Sequence, residues 1–427
     1  MIDKSNLFKV PNSNSNDAKI KKVVYEIDKS FFEKFKKDST NKEYLCICSG
    51  GTTSGCAKDN YITVDLRKNY NQIKFDKEKG IINIGGGVLM DDLLRNLDKF
   101  NRTFPIGLST LPGIGYILTG GISPLSRRYG LAIDSVISVK GFFGNGEYFS
   151  LNEEKIIEEK ELKIMEGIKG AAPFFTIITE IGLKTFKSYP IKIFEGFINK
   201  NELEELIIKS EEFPKNMSTQ WIFSDQIYIY IVAEIKTEKD KVLAEKYTVD
   251  FKKYSSLKIR NYKSFNDVRF FPKELNLFEL NSNNHSEVIS LLGNDLKNNV
   301  KDFIATLSEI NFLKPNKSCY VASQQLGCYS NKKNKSSSLF IHRECSWKPW
   351  IYTSWEKENY EDKNLALTWM NQSWEKLKRF FPYIHMAQLH NHLHSHKEEM
   401  NLAFGNKLKD LKLLKKFYDP ANILPPL

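Results

Sequence analysis

Two glycine-rich segments constrain this chain more than any other feature. The first, SGGTTSG at 49–55, follows directly on the short apolar run EYLCIC. The second, FPIGLSTLPGIGYILTGGIS, starts at Phe104 and ends at Ser123. No helix or strand could hold the first, and both read as glycine-rich loops joining regular elements. Glycine accepts backbone angles that other residues avoid, and it lets main-chain N–H groups come close to an anion. Thr52, Thr53 and Ser54 add hydroxyl donors to the first loop. That make-up suits a pyrophosphate, and on its own it equally suits a turn that binds nothing. A dinucleotide site of the GxGxxG kind needs a strand before it, a helix after it and an acidic residue about twenty positions on. Gly113-Ile114-Gly115 lacks that setting.

The flanking patterns place the loops at strand ends. KKVVYEI reads as a strand and DKSFFEKFKKD as a helix capped by Asp28, with Phe31, Phe32 and Phe35 on one face. YITVDL is a further strand, and NQIKFDKEKGIINIGGG a hairpin turning at Lys79-Gly80. Val88, Leu89, Leu93, Leu94 and Leu97 form one helical stripe. Asn145-Gly146 is the pair that a tight hairpin turn demands, residues 152–168 read as a helix, and FFTIITEIGLKTF as a strand. After about residue 187 the texture changes. IKIFEGFI, QIYIYIVAEI and SLFIHREC read as sheet strands, alternating with charged helices such as NELEELIIKSEEF and NLALTWMNQSWEKLKRFF. The C-terminal KLKDLKLLKKFYDPANILPPL is a basic helix stopped by Pro420, with an extended tail.

Composition narrows the class of partner. The net charge is +11, yet lysine is dispersed with asparagine along the whole chain rather than gathered in an arm. That argues for solvated faces rather than nucleic-acid binding and leaves room for attraction of an anionic substrate. The 29 Phe and 19 Tyr can supply sizeable cores. Six scattered cysteines do not make a disulfide framework, and no apolar run is long enough to span a bilayer. A reduced, cytoplasmic protein is expected.

Taken in order and spacing, these segments resemble the FAD-binding domain of the vanillyl-alcohol-oxidase-like flavoproteins, and most closely the berberine-bridge-enzyme-like branch. The first loop is similar to that family's Gly-Gly-His-Ser segment. YITVDL, the hairpin, GLSTLPGIGYILTGGISPLSRRYGLAIDSV, FFGNGEYF and GAAPFFTIITEIGLKTF follow in family order. FIHREC, Trp355, Trp369 and the C-terminal FGNKLKDLKLLKKFYDPANIL resemble the branch's substrate domain and its return. The resemblance implies an α+β fold, with a two-part FAD-binding domain of PCMH type plus a substrate domain whose antiparallel sheet is covered by helices. The implied boundaries are 1–186, 187–395 and, for the C-terminal return, 396–427. It implies that Gly50, Gly51, Thr52 and Thr53 line the pyrophosphate. Leu108, Ser109, Thr110, Leu111, Gly115, Gly120, Gly121 and Ile122 are expected to wrap the isoalloxazine ring. Ile178 and Thr179 are expected at the adenosine half, and Asn422 at the flavin edge.

Several positions depart from the family pattern. Many members bind FAD covalently through a histidine in the first loop and a cysteine in the second, where this chain has Thr52 and Leu108. Non-covalent FAD is therefore expected. Leu111 falls near the position that gates oxygen in the family, and its bulk favours a dehydrogenase with another electron acceptor, itself unidentified. Phe404 replaces the usual tyrosine of the C-terminal motif. These changes keep a non-redox cyclase, isomerase or flavin-binding protein as the alternative. For an oxidoreductase acting on a small molecule, the proton-accepting candidates are Tyr383, His385 and His342, each of which could instead be a packing residue. The histidines at 385, 390, 392, 394 and 396 are the oddest local feature. In a strand the last four would share one face, yet no carboxylate or cysteine accompanies them at ligand spacing, so no metal is expected. A polar surface segment or the mouth of the substrate cavity are the readings left.

Overall fold

The computed structural model describes residues 8–38, 44–249, 257–268, 284–294, 296–331, 337–386, 388, 390 and 392–427. Lys22–Val24 (β1), Cys46–Cys48 (β2) and Ile62–Asp65 (β3) form a parallel sheet in the order β1-β3-β2. Ile73–Asp76 (β4) and Ile81–Gly85 (β5) make the hairpin expected at Lys79-Gly80, with Gly80 at φ +65°. Arg102–Thr103 (β6) precedes Val136–Phe143 (β7), Tyr148–Asn152 (β8) and Thr176–Lys184 (β9). These give an antiparallel five-stranded sheet ordered β4-β5-β9-β7-β8. Its second tight turn has Gly146 at φ +90°, the region that favours glycine. Phe186–Lys187 (β10) pairs back with β6.

The helix Lys29–Asp38 starts where Asp28 Oδ1 accepts from the Phe31 N–H at 2.8 Å. Phe32 and Phe35 bury against Leu45, Val64 and Leu66, and Ile177 of β9 joins them, so one small core cements the first two sheets. Met90, Leu93, Leu94 and Leu97 bury the face of the helix Met90–Asp98 in the main core.

The rest of the chain builds an eight-stranded sheet. Ile191–Ile198 (β11), Met217–Phe223 (β12), Ile227–Glu234 (β13), Lys258–Tyr262 (β14), Asn284–Leu292 (β15), Tyr320–Gln325 (β16), Trp347–Glu356 (β17) and Tyr383–Ile384 (β18) are ordered β14-β11-β13-β12-β16-β17-β15-β18. All its pairings are antiparallel. One face carries Trp221, Phe223, Val321, Trp347 and Ile351, and the helices Lys200–Ser210, Val300–Phe312 and Tyr360–Leu377 pack in the same core. Phe303, 5.8 Å from Trp221 between ring centroids, is fully buried, which contributes about 2–3 kcal/mol.

Two expectations fail here. SLFIHREC (338–345) is not a strand but an irregular segment docked by Leu339 N–H on the carbonyls of Glu166 (3.1 Å) and Lys169 (2.8 Å). Buried Arg343, paired with Asp134 at 2.9 Å, holds it in place of a ladder. The strand lies immediately after, in β17. The histidine segment is also not a surface element at His390, which is buried, while described positions 392–395 form turns and His396 opens the helix His396–Phe404.

Candidate functional site

The two glycine loops interlock. A Cβ on Gly50 would lie 2.3 Å from Gly113 N and 2.8 Å from Leu111 O, and one on Gly113 would lie 2.1 Å from Ser49 Oγ. Only backbone without side chains fits such contacts. Gly51 turns at φ +72° with its carbonyl receiving the Asn12 N–H at 2.9 Å. Ser49 Oγ donates to Gly86 O (2.7 Å), and Gly86 N–H donates to Thr179 O (2.8 Å). Loop one, loop two and the Ile178–Thr179 strand therefore meet at one place.

Among the described residues, the backbone N–H groups of Gly50, Gly51, Thr52 and Thr53 donate to no protein acceptor, although Gly50 and Gly51 are buried. Buried backbone donors are almost always paired. Four in a row fit an anion with several oxygens, as a pyrophosphate has. A Cβ on Gly115 would meet nothing within 4 Å, so space opens beside the short helix Ile114–Leu118.

The second loop continues to the seam with the large sheet. Half-buried Leu108 packs in the cluster of Leu125, Tyr228, Tyr230 and Val232, Ser109 is exposed, and Thr110 O accepts the Asp91 N–H at 3.1 Å. Gly120 at φ +132° and Gly121 at φ +66° make the sharp turn before buried Ile122. A Cβ on Gly120 would lie 3.0 Å from His385 Nε2 and 3.1 Å from the Phe340 ring. Buried Arg127 fastens this region to the large sheet by donating to Leu326 O (2.5 Å) and Phe213 O (2.6 Å).

The three proton-accepting candidates come together at this seam in different states. His342 donates from Nε2 to Leu402 O (2.7 Å), and its ring stacks on Tyr383 at 4.1 Å. His385 is buried, and Nε2 lies 3.0 Å from Thr119 O. A carbonyl can only accept, so the proton sits on Nε2 and Nδ1 is left as a buried acceptor without a partner. Burial first, then the nearby Lys348 ammonium, pulls His385 down to about 3.

Asn422 lies in the turn that follows the C-terminal helix Leu408–Tyr418. It is exposed at φ +52° in a turn whose N–H donates to Asp419 O (3.0 Å), with no hydrogen bond to either loop among the described residues. Buried Asp419 receives Lys415 Nζ (2.7 Å) and the N–H groups of Ile423 (2.9 Å) and Leu424 (3.1 Å). That turns Ile423 and Leu424, rather than Asn422, into the small core, and Ile423 O accepts the Leu45 N–H at 2.7 Å.

Two groups of residues escape sequence reading. One is the buried polar row Gln220, Gln324 and Lys348, opposite one another on adjacent strands β12, β16 and β17. Its signal is a polar residue repeated at the centre of apolar strands. The other is a charge cluster at the histidine segment. His390 is buried with Nδ1 2.7 Å from Glu399 Oε2 and Nε2 3.7 Å from Glu287 Oε2. His392 Nε2 reaches Glu287 Oε1 at 2.8 Å, and Ser54 of the first loop donates to Glu287 Oε2 at 3.2 Å. No group of three His, Cys, Asp or Glu among the described residues is arranged to hold a metal. His390 lies between the two carboxylates and His392 shares Glu287, while Ser54 ties loop one to the same residue of β15.

Two surface clefts, of about 650 Å³ beside Phe197 and Gln226 and about 510 Å³ beside Lys140 and Glu180, lie away from this seam. No helix among the described residues is long and apolar enough to cross a membrane.

Comparison with known proteins agrees with this geometry. Residues 38–152 match the family described as FAD binding domain. The (R)-6-hydroxynicotine oxidase of Paenarthrobacter nicotinovorans is 31% identical over 157 residues, 36% of this chain and 33% of that protein. The match thus spans about a third of the relative's length. Among solved structures, berberine bridge enzyme from Eschscholzia californica superposes with a TM-score of 0.78 at 17% identity, covering 98% of this chain and 91% of that one. Physcomitrella patens BBE-like 1 gives 0.78 at 18% identity, covering 94% and 89%. The chain carries a PCMH-type FAD-binding domain within the fold of the berberine-bridge-enzyme-like flavoproteins.

Proposed function

We propose that the protein is an FAD-dependent oxidoreductase that removes hydride from an alcohol, amine or similarly activated carbon of a small molecule. The observation that carries this reading is the interlocked glycine cradle, with four successive backbone donors lacking acceptors inside a matched FAD-binding domain. Gly50, Gly51, Thr52 and Thr53 would hold the pyrophosphate, and the loop from Leu108 to Ile122 would face the isoalloxazine. When bound, the flavin supplies a two-electron acceptor. The chain's own part is to orient that ring against the polar face of the large sheet, to exclude water, and to receive the substrate's proton.

The attachment is non-covalent in this proposal, because neither the Thr52 hydroxyl nor the Leu108 isobutyl group forms the family's flavin bond. Leu111, whose carbonyl approaches Gly50, supports a dehydrogenase over an oxidase through its bulk. Residues 1–186, 187–395 and 396–427 serve as cofactor domain, substrate domain and return, and six free thiols suit a reducing, cytoplasmic setting.

The test is anaerobic bleaching of the bound flavin by a panel of alcohols and amines, followed by admission of air. Bleaching that recovers slowly in air and quickly with an artificial acceptor is the expected result. Rapid recovery in air would make it an oxidase, and no bleaching by any donor would sink the oxidoreductase reading.

A further inference from the structure

The face of the large sheet opposite its helices carries a row that hydrophobic packing does not explain. Tyr230, Gln220, Gln324 and Lys348 stand directly opposite one another on β13, β12, β16 and β17, so their side chains leave the same face. At strand spacing the row is about 14 Å long. Every member is at least nine-tenths buried. Gln220 Nε2 donates to Ser218 Oγ at 2.9 Å, but Gln220 Oε1 and Gln324 Oε1 are buried without partners. His385, which follows β18, adds the unpartnered Nδ1. Three acceptors are thus unmet in one region, and a buried acceptor left so costs about 1–3 kcal/mol in a site that never meets a ligand.

Lys348 stands beside these acceptors. It is 7% exposed, lies 4.8 Å from the centre of the Trp350 ring, and forms no ion pair among the described residues. A lysine buried without a carboxylate loses its proton readily, and burial draws Lys348 down to about 8. Burial holds several other titratable groups on this face away from neutrality. His385 is held at about 3, and burial raises Tyr116 from the helix Ile114–Leu118, Tyr230 from β13, Tyr320 from β16 and Tyr352 from β17 above their ordinary 10. Glu195, at the far end of the row opposite Tyr230, is paired with Arg260 and Tyr228. Tyr383, opposite Leu292 on β18, leaves the same face with His342 stacked on its ring; within the row itself Lys348 is the group able to take a proton and give it up again.

A ligand that meets three acceptors must bring hydrogen-bond donors. A carboxylate at that end would bring oxygens to oxygens, whereas hydroxyl or amine hydrogens complete the site. We propose that Lys348 Nζ accepts the proton of the substrate's reacting O–H or N–H group, while Gln220, Gln324 and His385 Nδ1 receive further donors of the same ligand. The assignment rests on the oxidoreductase reading above. In the step, the O–H bond breaks and its proton joins the Nζ lone pair as the carbon–oxygen double bond forms. The C–H bond breaks with its electron pair, which passes as hydride to the oxidised flavin. The substrate is oxidised by two electrons, the flavin is reduced, and Lys348 is left as ammonium.

Lysine ionisation beside the ring is readable without any substrate. The visible absorption of the FAD-loaded protein is recorded from about pH 6 to about pH 10 for the native chain, Lys348→Met and Lys348→Arg. The native protein is expected to show one spectral step with a midpoint within about a unit of 8, and both variants to keep FAD but lose the step. With a bleaching donor in hand, the native rate rises with pH through the same midpoint. Lys348→Met lowers that rate about 10²–10⁴-fold, and added methylamine partly restores Lys348→Ala. A yellow protein with no step, or with the same step in Lys348→Met, overturns the assignment and leaves the oxidoreductase reading standing. A protein that stays colourless with added FAD overturns both.

Discussion

His390 is charged and buried between two carboxylates, and replacing it with glutamine removes the charge while keeping a polar group of similar reach. His390, Glu287 and Glu399 each expose no more than 2% of their side chains. Burial alone would lower the His390 pKa, but Glu399 and then Glu287 outweigh it and push the value up to about 9. Measured from the ordinary 6.5, that rise is worth about 3 kcal/mol. Because the folded value is raised, this stability is complete below about pH 6.5 and disappears as pH climbs through about 9. His396 adds no second cation of this kind, since burial holds it down. His390→Gln leaves both glutamates without their central counter-charge, so about 3–5 kcal/mol should be lost near pH 6.5. The assay is urea unfolding of both proteins at about pH 6.5 and about pH 10, comparing differences between them rather than absolute values. The gap should shrink by about 3 kcal/mol at the higher pH, where the native histidine is neutral too. A gap that stays constant with pH, or that is already below about 1 kcal/mol at pH 6.5, would refute the clasp as an electrostatic one.

Other substitutions separate the parts of the account. Gly113→Ala drives a Cβ to 2.1 Å from Ser49 Oγ and 2.7 Å from Gly50 N, so the loops must part; FAD titration should show affinity reduced by at least about tenfold. Gly115→Ala meets no protein atom, so the apo-protein should hold its stability or gain about 0.5–1 kcal/mol while FAD affinity still falls; equal FAD affinity would move the ring elsewhere. Asp419→Ala strands Lys415 and frees the N–H groups of Ile423 and Leu424, for an expected loss of about 3–5 kcal/mol in urea unfolding and faster C-terminal proteolysis.

Local chemistry made much of the first half legible. Both tight turns announced themselves as glycine at positions that prove to need φ near +65° and +90°, and the leucine stripe after Val88 is the buried face of its helix. The loops stood out through their glycines, although the second also holds the short helix Ile114–Leu118. What escaped depends on pairing partners far away in sequence. SLFIHREC has the texture of a strand, but Arg343 in it needs Asp134, some 200 residues earlier, and that pair takes the segment off the ladder. Pro349 and the interleaved tryptophans disguise β17, which the neighbouring strands β15 and β16 nevertheless enclose on both sides. The histidines alternate as in a strand, yet their partners Glu287 and Glu399 come from β15 and from the following helix. Lys348 is one lysine among many until the register places it opposite Gln324.

The claim on which the rest depends is that the interlocked loops hold FAD without a covalent bond. Acid precipitation of purified protein, with the supernatant and the denatured pellet both examined for flavin, tests it most directly. The expected result is a yellow protein whose flavin passes wholly into the supernatant as FAD. Flavin retained in the pellet would contradict the reading of Thr52 and Leu108, and a protein that stays colourless after added FAD would contradict the cradle itself.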